Sequence, residues 1–224
     1  MSRFRTPSIL LASALALPLP AMATEEPRYD VIDHLGAVEI RSYPPILWAE
    51  TTVEGEFDRA GNAGFRRLAS YIFGGNRLPG GTEASAKIAM TAPVAMRPAR
   101  GERIAMTAPV AMRPAGDAAA RQGAPPAWVI AFAMPGEWTL ETIPRPVDLA
   151  VSLRQAPGRT VAALRFSGTW SPERFAERER ELLAQIAASR WRIAGPVESA
   201  RYDPPWTPWF MRRNEVLVEV LPAD

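Results

Sequence analysis

The 224-residue sequence has no cysteine and a single histidine, His34. Without cysteine there is no disulfide, no lipid-modified thiol, no thiolate metal site and no covalent c-type haem attachment, so packing must hold the fold together. Lysine is almost absent too: Lys87 is the only one, and the other basic residues are scattered arginines. The formal net charge is +2, which Arg3 and Arg5 of the leader account for, so the rest of the chain is balanced. Neither the charge nor its layout supports a nucleic-acid footprint, and a polybasic membrane patch is not seen in the sequence. Paired histidines, a phosphate-cradling glycine loop and a nucleophile-elbow serine are also missing. No catalytic residue is assigned on these grounds, and an enzyme is not the expectation.

The start of the chain carries an apolar run behind a basic segment. Arg3 and Arg5 form a basic n-region, Ile9 to Leu17 an apolar h-region, and Ala21-Met22-Ala23 a small-x-small cleavage site. Residues 1–23 therefore read as a signal peptide and residues 24–224 as a single domain, periplasmic or secreted. Pro18 and Pro20 break the apolar run short of the ~20 residues of a spanning helix, so no stable membrane anchor is expected after cleavage.

Two internal repeats organise the remainder. IAMTAPVAMRPA at Ile88–Ala99 returns unchanged at Ile104–Ala115. Its period of two places Ile88, Met90, Ala92, Val94 and Met96 on one face of a strand. The turn-like Arg97–Arg103 lies between the copies. A β-hairpin with four methionines on one face is the expectation, Ile88 facing Met112 and Met90 facing Val110. Because Pro93 and Pro109 lack a ladder donor, at least one copy belongs at an edge or bulge.

The second repeat is older. Val38–Phe57 is echoed by Val151–Trp170, with Pro44 and Pro157 in register. Each half reads as strand, strand, helix, strand, strand. The first helix is expected over Asp58–Phe73, with Asp58 as N-cap, a stop at Gly74-Gly75, and Phe57, Gly61, Gly64, Leu68, Tyr71 and Ile72 inward. The second has Ser171 as cap and Pro172 at the first helical position, and it buries Phe175, Leu182, Leu183 and Ile186. Strands around two helices indicate an α+β fold, a distorted antiparallel β-barrel covered by the helices.

Several segments together resemble the SOUL haem-binding protein family. They are Tyr43, Lys87 to Val94, Ala133-Met134-Pro135, Thr139 to Pro144, Arg165 to Gly168, and Tyr202-Asp203-Pro204-Pro205 followed by Pro208 and Arg213-Asn214-Glu215-Val216. The resemblance covers nearly the whole mature chain. It implies one barrel domain of two similar halves and non-covalent binding of haem b or another tetrapyrrole. The site it implies is an apolar surface cleft beside the first helix and the loop after Tyr-Asp-Pro-Pro, with no obligatory axial ligand. A carrier, buffer or sensor would use such a site, and protein partners are left open.

On that reading the outer stripe of the first helix, Asn62, Phe65, Arg66 and Ala69, meets the ligand. Phe65 lies on the porphyrin plane and Arg66 pairs with a propionate. The loop Asp203–Phe210 offers Trp206, Trp209 and Phe210 as a stiff aromatic wall. Of Arg212 and Arg213, which point to opposite faces, one pairs with Glu215 and Arg212 is the candidate for a ligand carboxylate. His34 is the candidate axial metal ligand. Three alternatives stand beside this one. The methionines, Met90 and Met106 first, could bind Cu(I). Glu50 and Glu54 could serve a small-molecule hydrolase on a similar fold. The domain could also be a partner-binding scaffold.

Overall fold

Alternating small and large residues along the strands, with one apolar stripe on each helix, build a single large sheet with both helices on one face. The structure is a computed structural model that describes residues 25–80, 84–98, 126–203 and 206–223. The strands are β1 (Asp30–Leu35), β2 (Val38–Tyr43), β3 (Ile46–Glu54), β4 (Asn76–Arg77), β5 (Val94–Pro98), β6 (Ala127–Ala133), β7 (Arg145–Pro146), β8 (Ser152–Ala156), β9 (Arg159–Phe166), β10 (Trp191–Arg201) and β11 (Asn214–Pro222). The helices are α1 (Phe57–Ile72) and α2 (Pro172–Ala187).

Nine strands form one antiparallel sheet in the order β1-β2-β9-β11-β10-β5-β6-β3-β8, and β4 pairs with β7 apart from it. Beyond β1 the order is a palindrome of the two halves: β2 answers β8, β9 answers β3, β11 answers β6, and β10 meets β5 at the centre. The expected strand-strand-helix-strand-strand repeat is therefore present twice. The sheet is an open barrel in which the edge strands β1 and β8 are not paired with each other. In β1 the register slips between Val31 and Asp33, so Ile32 bulges. No helix among the described residues is long and apolar enough to cross a membrane.

Parity along the strands divides the sheet into two faces. One face carries Leu47, Ala49, Met96, Ile130 and Phe132 against α1, and Val38, Ile40, Ala162, Leu164, Val216 and Val218 against α2. The other carries a quite different set: Trp48, Ala95, Ala131, Ala133 and Ala156, then Val161, Ala163, Ala200 and Leu217. Helix α1 approaches β6 so closely at Gly64 that a Cβ there would lie 2.6 Å from Ile130 Cγ1.

Three local expectations need correction. Helix α1 starts one residue early, with Glu56 at the N-cap position and no side-chain cap; Asp58 sits in the first turn. Ala60, not Gly61, completes its buried face. The repeat segment is a strand only from Val94, because the Ile88 amide is spent on the Ile72 carbonyl and Thr91 Oγ1 donates to the Ala133 carbonyl. Strand β5 is also interior: Met96 pairs with Ser199 of β10 on one side and Ile130 of β6 on the other. With both edges taken, Val94–Pro98 cannot pair with a second copy as the hairpin required. The second copy, with Met106, Val110 and Met112, lies outside the described residues. By contrast, α2 matches its expected cap, with Ser171 Oγ accepting the Arg174 amide at 3.3 Å and Pro172 leading the first turn.

Candidate functional site

The loop between β10 and β11 rises from the sheet on a fixed base. At its foot the Tyr202 amide donates to the Arg213 carbonyl at 3.2 Å and the Arg213 amide to Asp203 Oδ2 at 2.5 Å. Near its crest Trp209–Met211 forms one turn of 3-10 helix, and Arg212 Nε donates to the Thr207 carbonyl at 2.7 Å. Gly168 ties the crest to the turn before α2: its amide donates to the Trp209 carbonyl at 3.1 Å, and its own carbonyl accepts from Asn214 Nδ2 at 3.2 Å. Gly168 has a φ of 121°, and a Cβ there would meet the Arg174 guanidinium at 3.1 Å. Only glycine suits that backbone conformation in that space.

This base holds large apolar side chains out in water. Trp206 is 83% exposed, Trp209 57% and Phe210 61%, with Met211 beside them at 65%. Trp209 and Phe210 meet edge to face at 5.6 Å. Large aromatic side chains standing in solvent in this way make the loop a candidate interaction surface.

Under the loop lies a corner rich in donors and poor in acceptors. Arg201, at the end of β10, stacks its guanidinium 3.7 Å from the Trp170 ring centroid, and its Nη2 lies 3.9 Å from Asp58 at the start of α1. Arg201 Nη2, Trp170 Nε1 and Arg174 Nε are all buried without a hydrogen-bond acceptor. Burial pushes the Arg201 guanidinium down to about 10; Asp58 opposes the shift and Arg212 adds to it. A buried donor left unpaired costs about 1–3 kcal/mol, more when charged. Arg201 and Trp170 carry two of these donors in one stacked pair, and Arg174 carries the third beside Gly168.

The expected α1 stripe begins one turn beyond Asp58, on the same side of the helix. Asn62 and Arg66 are exposed there and Ala69 is half-buried. Phe65 packs its ring 5.4 Å from Phe132 and joins the core beneath α1. The structure thus joins the loop to the first turn of α1 through Arg201. His34 is not brought to this corner: it is exposed on β1, at the sheet edge remote from β3 and β6, which carry α1. Arg213 takes the Glu215 partnership, Nη2 to Oε1 at 2.9 Å. Met96 is buried and Met90 half-buried in the core under α1, as packing side chains. Glu50 is clamped by Arg154 and Arg97, and Glu54 is exposed at the end of β3. No group of three or more His, Cys, Asp or Glu suited to a metal ion exists among the described residues.

Residues 24–219 match the family described as SOUL heme-binding protein. The chain belongs to the SOUL haem-binding protein family. Human Heme-binding protein 2 is 40% identical to this SOUL chain over 84 residues, and the mouse protein of the same name 39% over 80. Each of those matches spans little more than a third of the chain and of the relative, 37% and 35%. In fold, the SOUL domain is similar to the EcmrR C-terminal domain, with a TM-score of 0.54, 10% identity, and coverage of 87% of this chain and 99% of that one. A hydrolase from Listeria innocua superposes with a TM-score of 0.50 and 11% identity over 82% of this chain and 91% of its own. At such identities the likeness concerns the α+β architecture alone.

Arg201 and Trp170 were invisible as a pair in the sequence. The signal that could have found them is the position of Arg201 beside the Tyr202-Asp203-Pro204-Pro205 motif and of Trp170 two residues after the family glycine.

Proposed function

We propose that this domain binds haem b or a related tetrapyrrole non-covalently, as a carrier, buffer or sensor, in the periplasm or outside the cell after loss of residues 1–23. Membership of the SOUL family supports the ligand class. The observation that carries the location is that Arg201 and Trp170, stacked on each other next to the foot of the aromatic loop, each hold a buried donor without an acceptor, as does Arg174 beside Gly168. A tetrapyrrole with propionates presents what this corner lacks, carboxylate oxygens, together with a flat apolar plane. Charge-assisted hydrogen bonds from guanidinium to carboxylate are among the stronger ones. Arg201 and Arg174 hold the carboxylates, and Trp206, Trp209 and Phe210 shield the ring. Arg212 stiffens the loop through Thr207, with its charge close to the same carboxylates. Asn62, Arg66 and Ala69 continue the contact along α1, while Phe65, packed on Phe132, supports them from the core side. Bound haem would supply the redox and ligand-binding chemistry of its iron.

Haemin titrated into protein beginning at Thr24 tests this reading. A saturable one-site shift of the Soret band is expected, and Arg201→Leu should weaken it at least tenfold. A flat response at micromolar haemin overturns the proposal.

A further inference from the structure

The face of the sheet that neither helix covers holds a pocket of about 250 Å³. Val129, Pro157 and Pro196 line it in part, but the middle of its floor is made of side chains that stop at Cβ. Ala95 of β5, Ala131 of β6 and Ala156 of β8 face it, where a branched residue on any of these strands would fill the space. Trp48 of β3, itself only 6% exposed, forms a flat wall. A smaller void shares Trp48, Ala95, Arg159 and Glu198 and extends the cleft toward Tyr43 and Tyr202. At 250 Å³ the pocket is below the ~300–1,000 Å³ of drug-sized sites. A tetrapyrrole does not fit it, and this inference does not rest on the haem reading.

The charges around the pocket are unevenly matched. Glu50 accepts from Arg154 Nε at 3.0 Å and Nη2 at 2.6 Å, and from Arg97 Nη2 at 3.3 Å. Two guanidiniums thus share one carboxylate. Arg97 holds its partner by the longest of these contacts. At the other end Arg159 forks onto Glu198 at 2.8 and 2.7 Å, one charge against one, with Glu219 also on the wall. Positive charge is therefore in excess at the Arg97–Arg154 end, next to the indole and the alanine floor.

We infer that this pocket binds a small planar aromatic carboxylate, its ring on Trp48 and its carboxylate on Arg97. The ring takes up apolar area that the alanines leave open. The carboxylate offers Arg97 a fork geometry better than its single long contact with Glu50. A neutral molecule of the same shape would gain the first term and forgo the second. A larger ring system is excluded by volume.

Calorimetric titration of the mature protein with indole-3-acetate, and with indole-3-ethanol as the neutral counterpart, tests the inference. Indole-3-acetate should bind at one site with a dissociation constant below about 1 mM, and the alcohol at least tenfold more weakly. Arg97→Gln should bring the acid to the level of the alcohol, and Ala131→Leu should abolish binding of both. If Ala131→Leu fails to fold, Ala156→Val narrows the same floor and should weaken both ligands. Equal binding of acid and alcohol, an Arg97→Gln variant that binds the acid like wild type, or no binding of the acid up to about 1 mM each overturns it. The haemin Soret titration of Arg97→Gln should be unchanged, so failure here is separable from failure of the tetrapyrrole site.

Discussion

Arg41 of β2 reaches across β9 to Glu215 of β11 and holds it with two hydrogen bonds, 2.7 and 3.1 Å long, both side chains almost wholly buried. The same carboxylate accepts from the Tyr202 hydroxyl at 2.7 Å and from Arg213 Nε at 3.0 Å. The first residue of the Tyr-Asp-Pro-Pro motif and the Arg-Asn-Glu motif are thus two parts of one buried network that fixes the base of the aromatic loop. Glu215→Gln keeps the shape and strands the guanidiniums. Removing one partner of a buried pair costs about 3–5 kcal/mol, and urea unfolding should show a loss of that size. A loss below about 1 kcal/mol would mean that water reaches the network.

Acid should undo the fold through the same kind of contact. Burial alone would raise the Glu215 carboxyl, but Arg41, Tyr202 and Arg213 hold it below the ordinary carboxylate range. Glu50 is likewise held down against burial by Arg154 and Arg97. A carboxyl lowered in the folded state contributes stability above its unfolded value, about 4.3 for glutamate, and that contribution is lost as pH falls through the folded value. The melting temperature should therefore be flat with respect to these groups from pH 7 to about 5 and fall below about 4.3. Glu50→Gln should show a shallower fall, and stability rising on acidification would contradict the assignment.

Gly64 is where α1 meets β6 with no room between them. Gly64→Ala drives a methyl into Ile130 and should cost about 1–3 kcal/mol by overpacking. Ile130→Val introduced with it should recover part of that loss, a coupling that a double-mutant cycle measures. Strict additivity of the two changes would show that the helix moves aside.

The aromatic loop separates binding from stability. Trp206 and Trp209 are exposed, so Trp206→Ala and Trp209→Ala should change stability by no more than about 0.5 kcal/mol, while each weakens haemin binding severalfold. His34→Ala, at the remote edge, should leave the Soret spectrum of the haemin complex unchanged. A lost Soret shift in that variant would place the imidazole on the iron.

Much of the fold was legible because its signals are local. The Ser171 cap, Pro172 and the apolar spacing of α2 mark the helix within its own sixteen residues, and the twofold strand-strand-helix-strand-strand order emerges from pattern alone. The repeat at Ile88 misled for the opposite reason. Its alternation suits a strand, but the Ile88 and Ala92 amides go to the Ile72 and Glu25 carbonyls and the Thr91 hydroxyl to the Ala133 carbonyl, partners that only the assembled fold places there. The Asp203–Phe210 loop stood out by its composition. Arg201 did not, because its significance depends on Trp170 and Asp58, contributed by two different helix starts. The Trp48 pocket was hidden most thoroughly, since alanines declare nothing in sequence until strands from both halves set them side by side.

The bulge at Ile32 has a bearing on how copies of this protein meet. Strand β1 ends the sheet, and Val31 and Ile32 are both exposed there. A straight apolar edge of that kind is a template along which a neighbouring chain can continue the ladder. The extra residue breaks the regular spacing of outward-facing amides and carbonyls and increases the local twist. Trp191 Nε1 and Arg190 Nη2, both donating to Asp33 Oδ2, at 3.0 and 2.9 Å, tie the bulged stretch to the start of β10. One additional isoleucine thus removes from the β1 edge the even spacing that another strand would need in order to pair along it.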